Sequence, residues 1–413
     1  MVASKSQTIR ALLIATFAKG KSIIHNALES EDTTSCITVC RAFGAQITPL
    51  ADDSLLVVAP EMFPDSITVD CGNSGTTLYL ATGLAASIAR PVTFTGDEQL
   101  QNRPLGELLR ALTDLGVEVE ASRPGYPPFT IKGPITGGIT TLECHTSQYL
   151  SALLLGCPLG TDKSTIHVPL LNERPYVHMT TAWLENLGIS YESSSAMDLF
   201  SIAGKQHYFP FETTIWGDYS SASFFFCGAA VAGGCVTISG LDPDDSQGDK
   251  EILPILESMG CSITWVDSTS VRVCGPGKGK LQSGVFDLNA MPDALPVLAV
   301  TACYAQGKTM LINVPQARIK ETDRIASMRK NLVALGATIE EEEDALIIYG
   351  NGGLAGGSCE GFGDHRIIMA MAIASLGSTH PVTIDSIDAV AVTFPTFFTL
   401  LNQISKEVSH ENL

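Results

Sequence analysis

The sequence is short of positive charge and contains no long apolar run. It holds 25 lysines and arginines against 44 aspartates and glutamates, a formal net charge of −19 at pH 7. A chain this acidic is not expected to bind nucleic acid or an anionic membrane surface as its main activity. No segment approaches the roughly 20 apolar residues that a membrane helix needs, and Lys19 and Lys21 end the apolar stretch after Arg10 too early for a signal peptide. We therefore expect a soluble, cytoplasmic protein with no nucleic-acid or membrane partner.

The eleven cysteines show neither a CxxC pair nor the spacing of a metal finger. Most of them, including Cys157, Cys227 and Cys303, lie inside apolar runs. They are interpreted as small hydrophobic side chains in a reducing compartment. No metal site is expected.

The sequence does contain internal repeats. A helix pattern, a glycine and a short alternating strand pattern recur, and each glycine is predicted to be a left-handed cap at the helix C-terminus. A second pattern recurs six times and consists of a polar cap, a helix that is apolar nearly all round and a β-branched strand. The glycines are Gly44, Gly116, Gly188, Gly260 and Gly336, and the six helix patterns begin at Ser4, Asn73, Thr146, Tyr219, Pro292 and Asp364.

No low-complexity linker separates the six copies, each of about 70 residues. The division is predicted after the third copy, near "FETTIWGDYSSA", which gives two three-copy domains. The first domain would span residues 7–214, and the second would span residues 215–413 together with residues 1–6. A continuous solenoid is the alternative, although solenoid repeats are usually shorter, about 20 to 50 residues.

Several cations stand where buried helices are predicted to begin. A helix N-terminus carries partial positive charge, so an anion placed between these cations would resolve the conflict. The predicted ligand is therefore a multiply anionic small molecule, phosphorylated or carboxylated. Lys320 and Arg324 in "IKETDRIA" are predicted to share a helical face, and a solvated helix face is the alternative there. The other cations are Lys5, Arg10, Arg103 and Arg366.

Ten short motifs, in order and along nearly the whole chain, resemble the 5-enolpyruvylshikimate-3-phosphate (EPSP) synthase family. They are "ASKSQTIRALL", "GNSGTT", "NRPLG", "TSQYLSALLL", "GDYSSA", "QGD", "MPDA", "IKETDRI", "DHRI" and "TFP". The resemblance implies a two-domain, inside-out α/β barrel of the α/β (α+β) class. Six βαβαββ repeats, three in each domain, would surround buried parallel helices.

The resemblance also implies an activity. The enolpyruvyl group of phosphoenolpyruvate would be transferred to the 5-hydroxyl of shikimate 3-phosphate, with release of phosphate and without a metal or organic cofactor. These two small molecules would be the partners of a monomeric enzyme. Glyphosate competes for the phosphoenolpyruvate site in this family; Gly75 permits its binding, whereas Val392 is expected to weaken it.

The family's site residues map onto this sequence by motif. Asp293 would be the general base toward the 5-hydroxyl, and Glu321 and Lys5 would transfer the proton at C3. Shikimate 3-phosphate would be bound by Lys5, Ser6, Arg10, Thr146, Ser147, Gln148, Tyr176, Asp293, Gln316 and Lys320. Phosphoenolpyruvate would be bound by Lys5, Gly75, Arg103, Gln148, Arg324 and Arg366. For Asp293, Thr146 and Ser147, a role as ordinary helix-cap residues is the alternative.

The sequence departs from the family pattern at several positions. Val392 stands before "TFP" where a lysine is usual, Tyr79 replaces an arginine, Glu173 a serine and Gln316 an asparagine. Only Met1 to Ala3 precede the "SKS" motif, where relatives carry a strand or two that close the sixth unit. An exposed sheet edge is expected there.

Three alternative functions follow from these departures and from related folds. A catalytically weakened protein that only binds shikimate 3-phosphate would fit Val392 and the short N-terminus. UDP-N-acetylglucosamine enolpyruvyl transferase should carry a reactive cysteine in the loop "GDEQLQNRPLG", which contains none. RNA 3′-phosphate cyclases are built on related repeats, but the charge of −19 speaks against nucleic acid.

Overall fold

The computed structural model describes residues 1–51 and 53–410, the last five of them as helix backbone only. Two compact units are present: Ala3–Ile215, and Met1–Val2 together with Trp216–Leu413. The first unit begins four residues before the boundary drawn from the sequence at residue 7. Residues 3–6 belong to it because Ser4 caps its first helix and accepts a hydrogen bond from the Gln7 amide at 3.4 Å.

The first unit alternates helices and strands along the chain. Two 3-10 turns, Leu100–Asn102 and Cys157–Leu159, interrupt the series. The elements are α1 (Lys5–Phe17), β1 (Lys21–His25), α2 (Glu31–Ala42), β2 (Gln46–Pro49), β3 (Leu55–Val58), β4 (Ile67–Asp70), α3 (Gly75–Ala85), β5 (Pro91–Thr95), α4 (Gly106–Asp114), β6 (Glu118–Ala121), β7 (Phe129–Lys132), β8 (Gly138–Cys144), α5 (Ser147–Gly156), β9 (Ser164–Leu171), α6 (Arg174–Asn186), β10 (Tyr191–Ser193), β11 (Leu199–Ile202) and β12 (Glu212–Thr214).

These strands form three four-stranded sheets, ordered β4-β5-β7-β6, β8-β9-β11-β10 and β12-β1-β3-β2. In each sheet the first and second strands in this order pair in parallel. The second and third strands, and the third and fourth, pair antiparallel. This is the βαβαββ order in the second and third copies. In the first copy, β12 from the end of the unit supplies the strand beside β1.

Helices α1, α3 and α5 form the core of the first unit. All eleven residues of α3 are buried, and α3 packs against both α1 and α5. Two glycines allow the backbones of α3 and α5 to touch: a Cβ on Gly83 would lie 2.0 Å from the Ala152 carbonyl oxygen, and one on Gly156 would lie 2.0 Å from that of Gly83. The small-residue composition of these helices therefore serves close packing.

The second unit also alternates helices and strands along the chain. Its 3-10 turns are Gly248–Glu251, Pro292–Ala294, Pro315–Ile319 and Asp388–Val392. The elements are α7 (Tyr219–Ala232), β13 (Cys235–Ser239), α8 (Ile252–Ser258), β14 (Ser262–Trp265), β15 (Ser270–Cys274), β16 (Leu281–Gln282), β17 (Val285–Asp287), α9 (Leu295–Cys303), β18 (Ala305–Ile312), α10 (Arg324–Ala334), β19 (Thr338–Glu341), β20 (Leu346–Asn351), β21 (Gly357–Cys359), α11 (His365–Ala374), β22 (Val382–Ile384) and α12 (Phe397–His410).

Its sheets are ordered β13-β15-β14 and β16-β18-β20-β19, with β17 also paired to β18, and β21-β22. Within the described residues, the sheet of the sixth copy therefore has two strands. Helices α7, α9 and α11 pack together and are almost completely buried. None of the helices described in either unit is long and apolar enough to cross a membrane.

The glycines of the repeat behave as predicted. Each lies two residues beyond the end of a helix, after α2, α4, α6, α8 and α10 in turn. Their φ angles are all positive, at 98°, 91°, 70°, 98° and 94° along the chain. The prediction of left-handed caps is confirmed.

The interpretation of the cysteines is wrong for one pair. Cys235 and Cys274 face each other across β13 and β15, with Cα atoms 4.1 Å apart, and form a disulfide. This pair could not be predicted from the sequence, because 39 residues separate the two cysteines and only the pairing of β13 with β15 brings them together. The other nine are buried free thiols, as expected.

Candidate functional site

In the first unit, the predicted ligand residues cluster at the starts of buried helices. Lys5 opens α1, Gly75 opens α3, and Thr146 caps α5. Each of these helices begins with a side-chain cap from Ser4, Ser74 or Thr146 rather than with an acidic first turn. Three partially positive helix ends thus belong to one packed core, a favourable setting for anions.

Lys5 is held by a carboxylate that sequence reasoning missed. Its Nζ lies 3.1 Å from Oδ2 of Asp32, a buried residue in the first turn of α2. The lysine side chain remains 15% exposed. Asp32 therefore positions the ammonium group without enclosing it.

Arg10 is buried among neutral groups. Its side chain is 1% exposed, and its guanidinium donates to the Thr180 hydroxyl (3.0 Å) and to the carbonyls of Ser6 (3.0 Å) and Tyr176 (3.2 Å). Burial lowers the pKa of Arg10 to about 10, against a smaller opposing effect of Tyr176. Arg10 is still charged at neutral pH, and no described carboxylate forms an ion pair with it.

Gly75 and Arg103 are brought into direct contact. A Cβ on Gly75 would lie 2.3 Å from an Arg103 terminal nitrogen, so only glycine allows the guanidinium this position. Tyr79 and Tyr149 both donate to the Pro104 carbonyl, at 3.0 and 2.7 Å. Tyr79, which stands in place of an arginine, thus anchors the residue next to Arg103.

The cap of α5 already holds an anion. Oε2 of Glu173 accepts hydrogen bonds from the Thr146 hydroxyl (3.0 Å), the Ser147 amide (3.0 Å) and the Ser147 hydroxyl (2.8 Å). Glu173 directly precedes α6 and is 2% exposed. The predicted phosphate-binding residues do converge, and in this structure they bind a carboxylate of the protein itself.

In the second unit, the candidate residues form a dense charge cluster. The guanidinium of Arg324 donates to Asp293 (2.6 Å), Glu321 (2.5 Å) and both oxygens of Asp364 (2.8 and 3.2 Å). Arg324 is 1% exposed, and although burial alone would lower its pKa, these carboxylates raise it. Asp364, the cap of α11, was not among the predicted site residues.

Asp293 lies between two arginines. Its second oxygen is 3.1 Å from a terminal nitrogen of Arg366, the second residue of α11. Burial alone would raise the pKa of Asp293, but the charges of Arg366, Lys320 and Arg324 outweigh it and hold the pKa well below its usual range. The carboxylate is therefore ionised across the physiological pH range.

The predicted helical face of Lys320 and Arg324 is wrong. Helix α10 begins at Arg324, whereas Lys320 and Glu321 lie in the loop before it. The Asp323 side chain accepts a hydrogen bond from the Ala326 amide at 3.0 Å and so fixes the helix start. The loop nevertheless brings Glu321 to Arg324, as part of the same charge cluster.

Two predicted amide side chains keep an acceptor available. The side-chain carbonyl oxygens of Gln148 and Gln316 are buried and have no hydrogen-bond partner among the described residues. Gln316 uses its other end to donate to the Asn289 carbonyl at 2.9 Å. A buried unsatisfied acceptor is costly unless a ligand hydroxyl supplies the missing hydrogen.

The chain is similar to known enzymes of one family. The family described as EPSP synthase (3-phosphoshikimate 1-carboxyvinyltransferase) matches residues 1–401. The 3-phosphoshikimate 1-carboxyvinyltransferase of Acetivibrio thermocellus is 46% identical over 98% of this chain and 95% of its own length. The enzyme of the same name from Methanocorpusculum labreanum is 36% identical over 99% and 96%.

A solved structure is similar as well. EPSP synthase from Acinetobacter baumannii superposes with a TM-score of 0.81 at 26% identity, covering 97% of this chain and 94% of its own. The matches confirm the family, the fold class and the enolpyruvyl-transfer activity inferred from the sequence. This chain belongs to the EPSP synthase family.

Proposed function

We propose that the chain transfers the enolpyruvyl group of phosphoenolpyruvate to the 5-hydroxyl of shikimate 3-phosphate, yielding EPSP and inorganic phosphate. The observation that carries the proposal is the Asp293 cluster, in which a partly exposed carboxylate is kept ionised beside Arg366 and Arg324. Such a group can accept a hydroxyl proton while the cations attract an anionic donor substrate. We further propose a monomeric, cytoplasmic enzyme with two three-copy domains, on the strength of the family resemblance.

The reaction begins at phosphoenolpyruvate. Protonation of C3, for which Lys5 and Glu321 are the candidates, leaves a cation at C2. The phosphate and carboxylate of phosphoenolpyruvate would be held by Arg103, Arg324 and Arg366. The absence of a side chain at Gly75 leaves room for the Arg103 guanidinium. Carboxylates of the protein form ion pairs with Arg324 and Arg366, so an anionic substrate would compete with them for these cations.

The acceptor then attacks. Asp293 takes the proton of the 5-hydroxyl as its oxygen bonds to C2, and the resulting ketal loses phosphate and a C3 proton. Thr146 and Ser147 would hold the 3-phosphate, while the free acceptors of Gln148 and Gln316 would take ligand hydroxyls. The remaining proposed contacts to this substrate are Lys5, Ser6, Arg10, Tyr176 and Lys320.

The test is inorganic phosphate release by the purified protein with phosphoenolpyruvate and shikimate 3-phosphate together. UDP-N-acetylglucosamine serves as the alternative acceptor, and each substrate alone serves as a blank. We expect phosphate release with shikimate 3-phosphate only, accompanied by the product mass of EPSP. Release with UDP-N-acetylglucosamine, or none with either acceptor, would refute the proposed function.

A further inference from the structure

One carboxylate stands where the proposed function needs a phosphate. Glu173 Oε2 accepts three hydrogen bonds of 2.8 to 3.0 Å from Thr146 and Ser147. These donors are a backbone amide at the start of α5 and two hydroxyl groups, the combination that suits a phosphate oxygen. Both Thr146 and Ser147 are buried, so the arrangement is enclosed rather than a surface contact.

The carboxylate and a phosphate cannot use this cap together. Each of the three hydrogens already points at Oε2, and a second anion at hydrogen-bond distance from the same donors would meet strong like-charge repulsion in a buried setting. Binding of a phosphorylated acceptor therefore requires the Glu173 side chain to leave. An acceptor without a phosphate can bind while the Glu173 side chain stays in place.

We propose that Glu173 is a specificity-determining residue, an internal anion that competes with the 3-phosphate of the acceptor for the cap of α5. The inference rests on the proposed function. Because the competitor is tethered, its effective concentration is high, and the apparent dissociation constant for shikimate 3-phosphate rises by the reciprocal of the fraction of molecules with the cap open. The advantage of shikimate 3-phosphate over shikimate is correspondingly reduced.

The experiment compares two ligands and three variants. Dissociation constants for shikimate 3-phosphate and for shikimate are measured by calorimetry with wild type, Glu173→Ala, Glu173→Gln and Glu192→Ala. Alanine removes the competitor without adding a donor, and glutamine removes the charge while keeping the size of the side chain. Glu192, an exposed residue of β10, is the control for loss of one negative charge in the same unit.

We expect Glu173→Ala to bind shikimate 3-phosphate at least tenfold more tightly and shikimate within twofold of wild type. Glu173→Gln should tighten the phosphorylated ligand by a smaller factor, and Glu192→Ala should change neither constant. A merely structural role of Glu173 would weaken both ligands together. Thermal unfolding of each variant identifies a folding failure, and glutamine provides the test should alanine not fold.

Unchanged or weaker binding of shikimate 3-phosphate by the Glu173 variants would overturn the inference. If wild type releases phosphate from the two substrates but the variants show no tightening, the inference falls and the proposed function stands. If neither wild type nor variants bind shikimate 3-phosphate, both fall.

Discussion

At the scale of single residues, the charged candidate residues of the second unit form ion pairs with one another. Arg324 is satisfied by Asp293, Glu321 and Asp364, while Arg366 is paired with Asp293. A base held at low pKa by cations is a weak base. An anionic substrate that occupies Arg366 would withdraw part of that stabilisation and raise the pKa of Asp293 toward a useful value.

Replacing Asp293 by Asn tests this role. The amide can still accept a hydrogen bond from Arg324 but cannot take a proton, so we expect kcat to fall at least 100-fold, the usual contribution of a general base. The dissociation constant for shikimate 3-phosphate should change only a few-fold. Phosphate release gives the first quantity and calorimetry the second.

The control for this substitution is Asp344→Asn, which removes the same charge from an exposed position in the same unit. It should leave kcat unaltered. A kcat for Asp293→Asn within tenfold of wild type would remove Asp293 from the proton-transfer step.

Residues named by motif were predictable, and their partners were not. Asp293, Arg324 and Arg366 lie in short strings whose order alone identifies the family. Glu173 was visible only as a departure from the pattern, because its contact with Ser147 spans 26 residues and depends on α5 and α6 lying side by side. Asp32 carried no sequence signal at all, since only the packing of α2 on α1 brings it to Lys5.

At the scale of elements, the predictions that succeeded rest on local physics. A glycine with positive φ ends a helix wherever it occurs, and an apolar pattern nearly all round indicates burial. The start of α10 was missed because charge spacing suggested one helical turn too many, whereas Asp323 is the better cap. The pairing of β12 with β1 was also beyond local reasoning, since 187 residues separate Glu212 from His25, its hydrogen-bonded neighbour in that sheet.

The loop after β13 contains a buried carboxyl group, that of Asp245, whose ionisation should lower the free energy of unfolding. Burial, together with Asp218 and Asp242, raises the pKa of Asp245 to about 6, against the Gln247 amide and Lys250. Between about pH 4 and pH 6 the folded protein keeps a proton that the unfolded chain releases. The contribution of Asp245 to stability is therefore present below this window and is lost as the pH rises through it.

Asp245→Asn should abolish this decline. We expect the variant to be more stable than wild type by about 1 to 3 kcal/mol at pH 7, because a carboxyl with a pKa of about 6 in the folded protein and 3.8 in the unfolded chain disfavours folding there. No gain is expected at pH 4. Urea unfolding at the two pH values measures the difference. The exposed neighbour Asp244→Asn is the control, and an equal gain from it would show that general charge repulsion is responsible.

At the scale of the whole molecule, the acidic composition and the anionic substrates are reconciled by local arrangement. The chain carries a net charge of −19, yet six of its 25 lysines and arginines are proposed ligand residues. Helix starts add partial positive charge at several of these positions. Carboxylates of the protein pair with several of these cations. The acidity of the chain is thus compatible with binding anions, provided that substrate and protein carboxylates exchange.

Proposed ligand residues lie in each of the two units, and hydrogen exchange can test each set separately. Shikimate 3-phosphate should slow amide exchange at the start of α5, which contains Ser147 and Gln148, and also in the segment from Arg318 to Arg324 of the second unit, because ligand contacts suppress local opening. The hairpin of β10 and β11 serves as the internal control and should exchange as before. If either segment gained no protection, the roles proposed for its residues in binding the acceptor would have to be withdrawn.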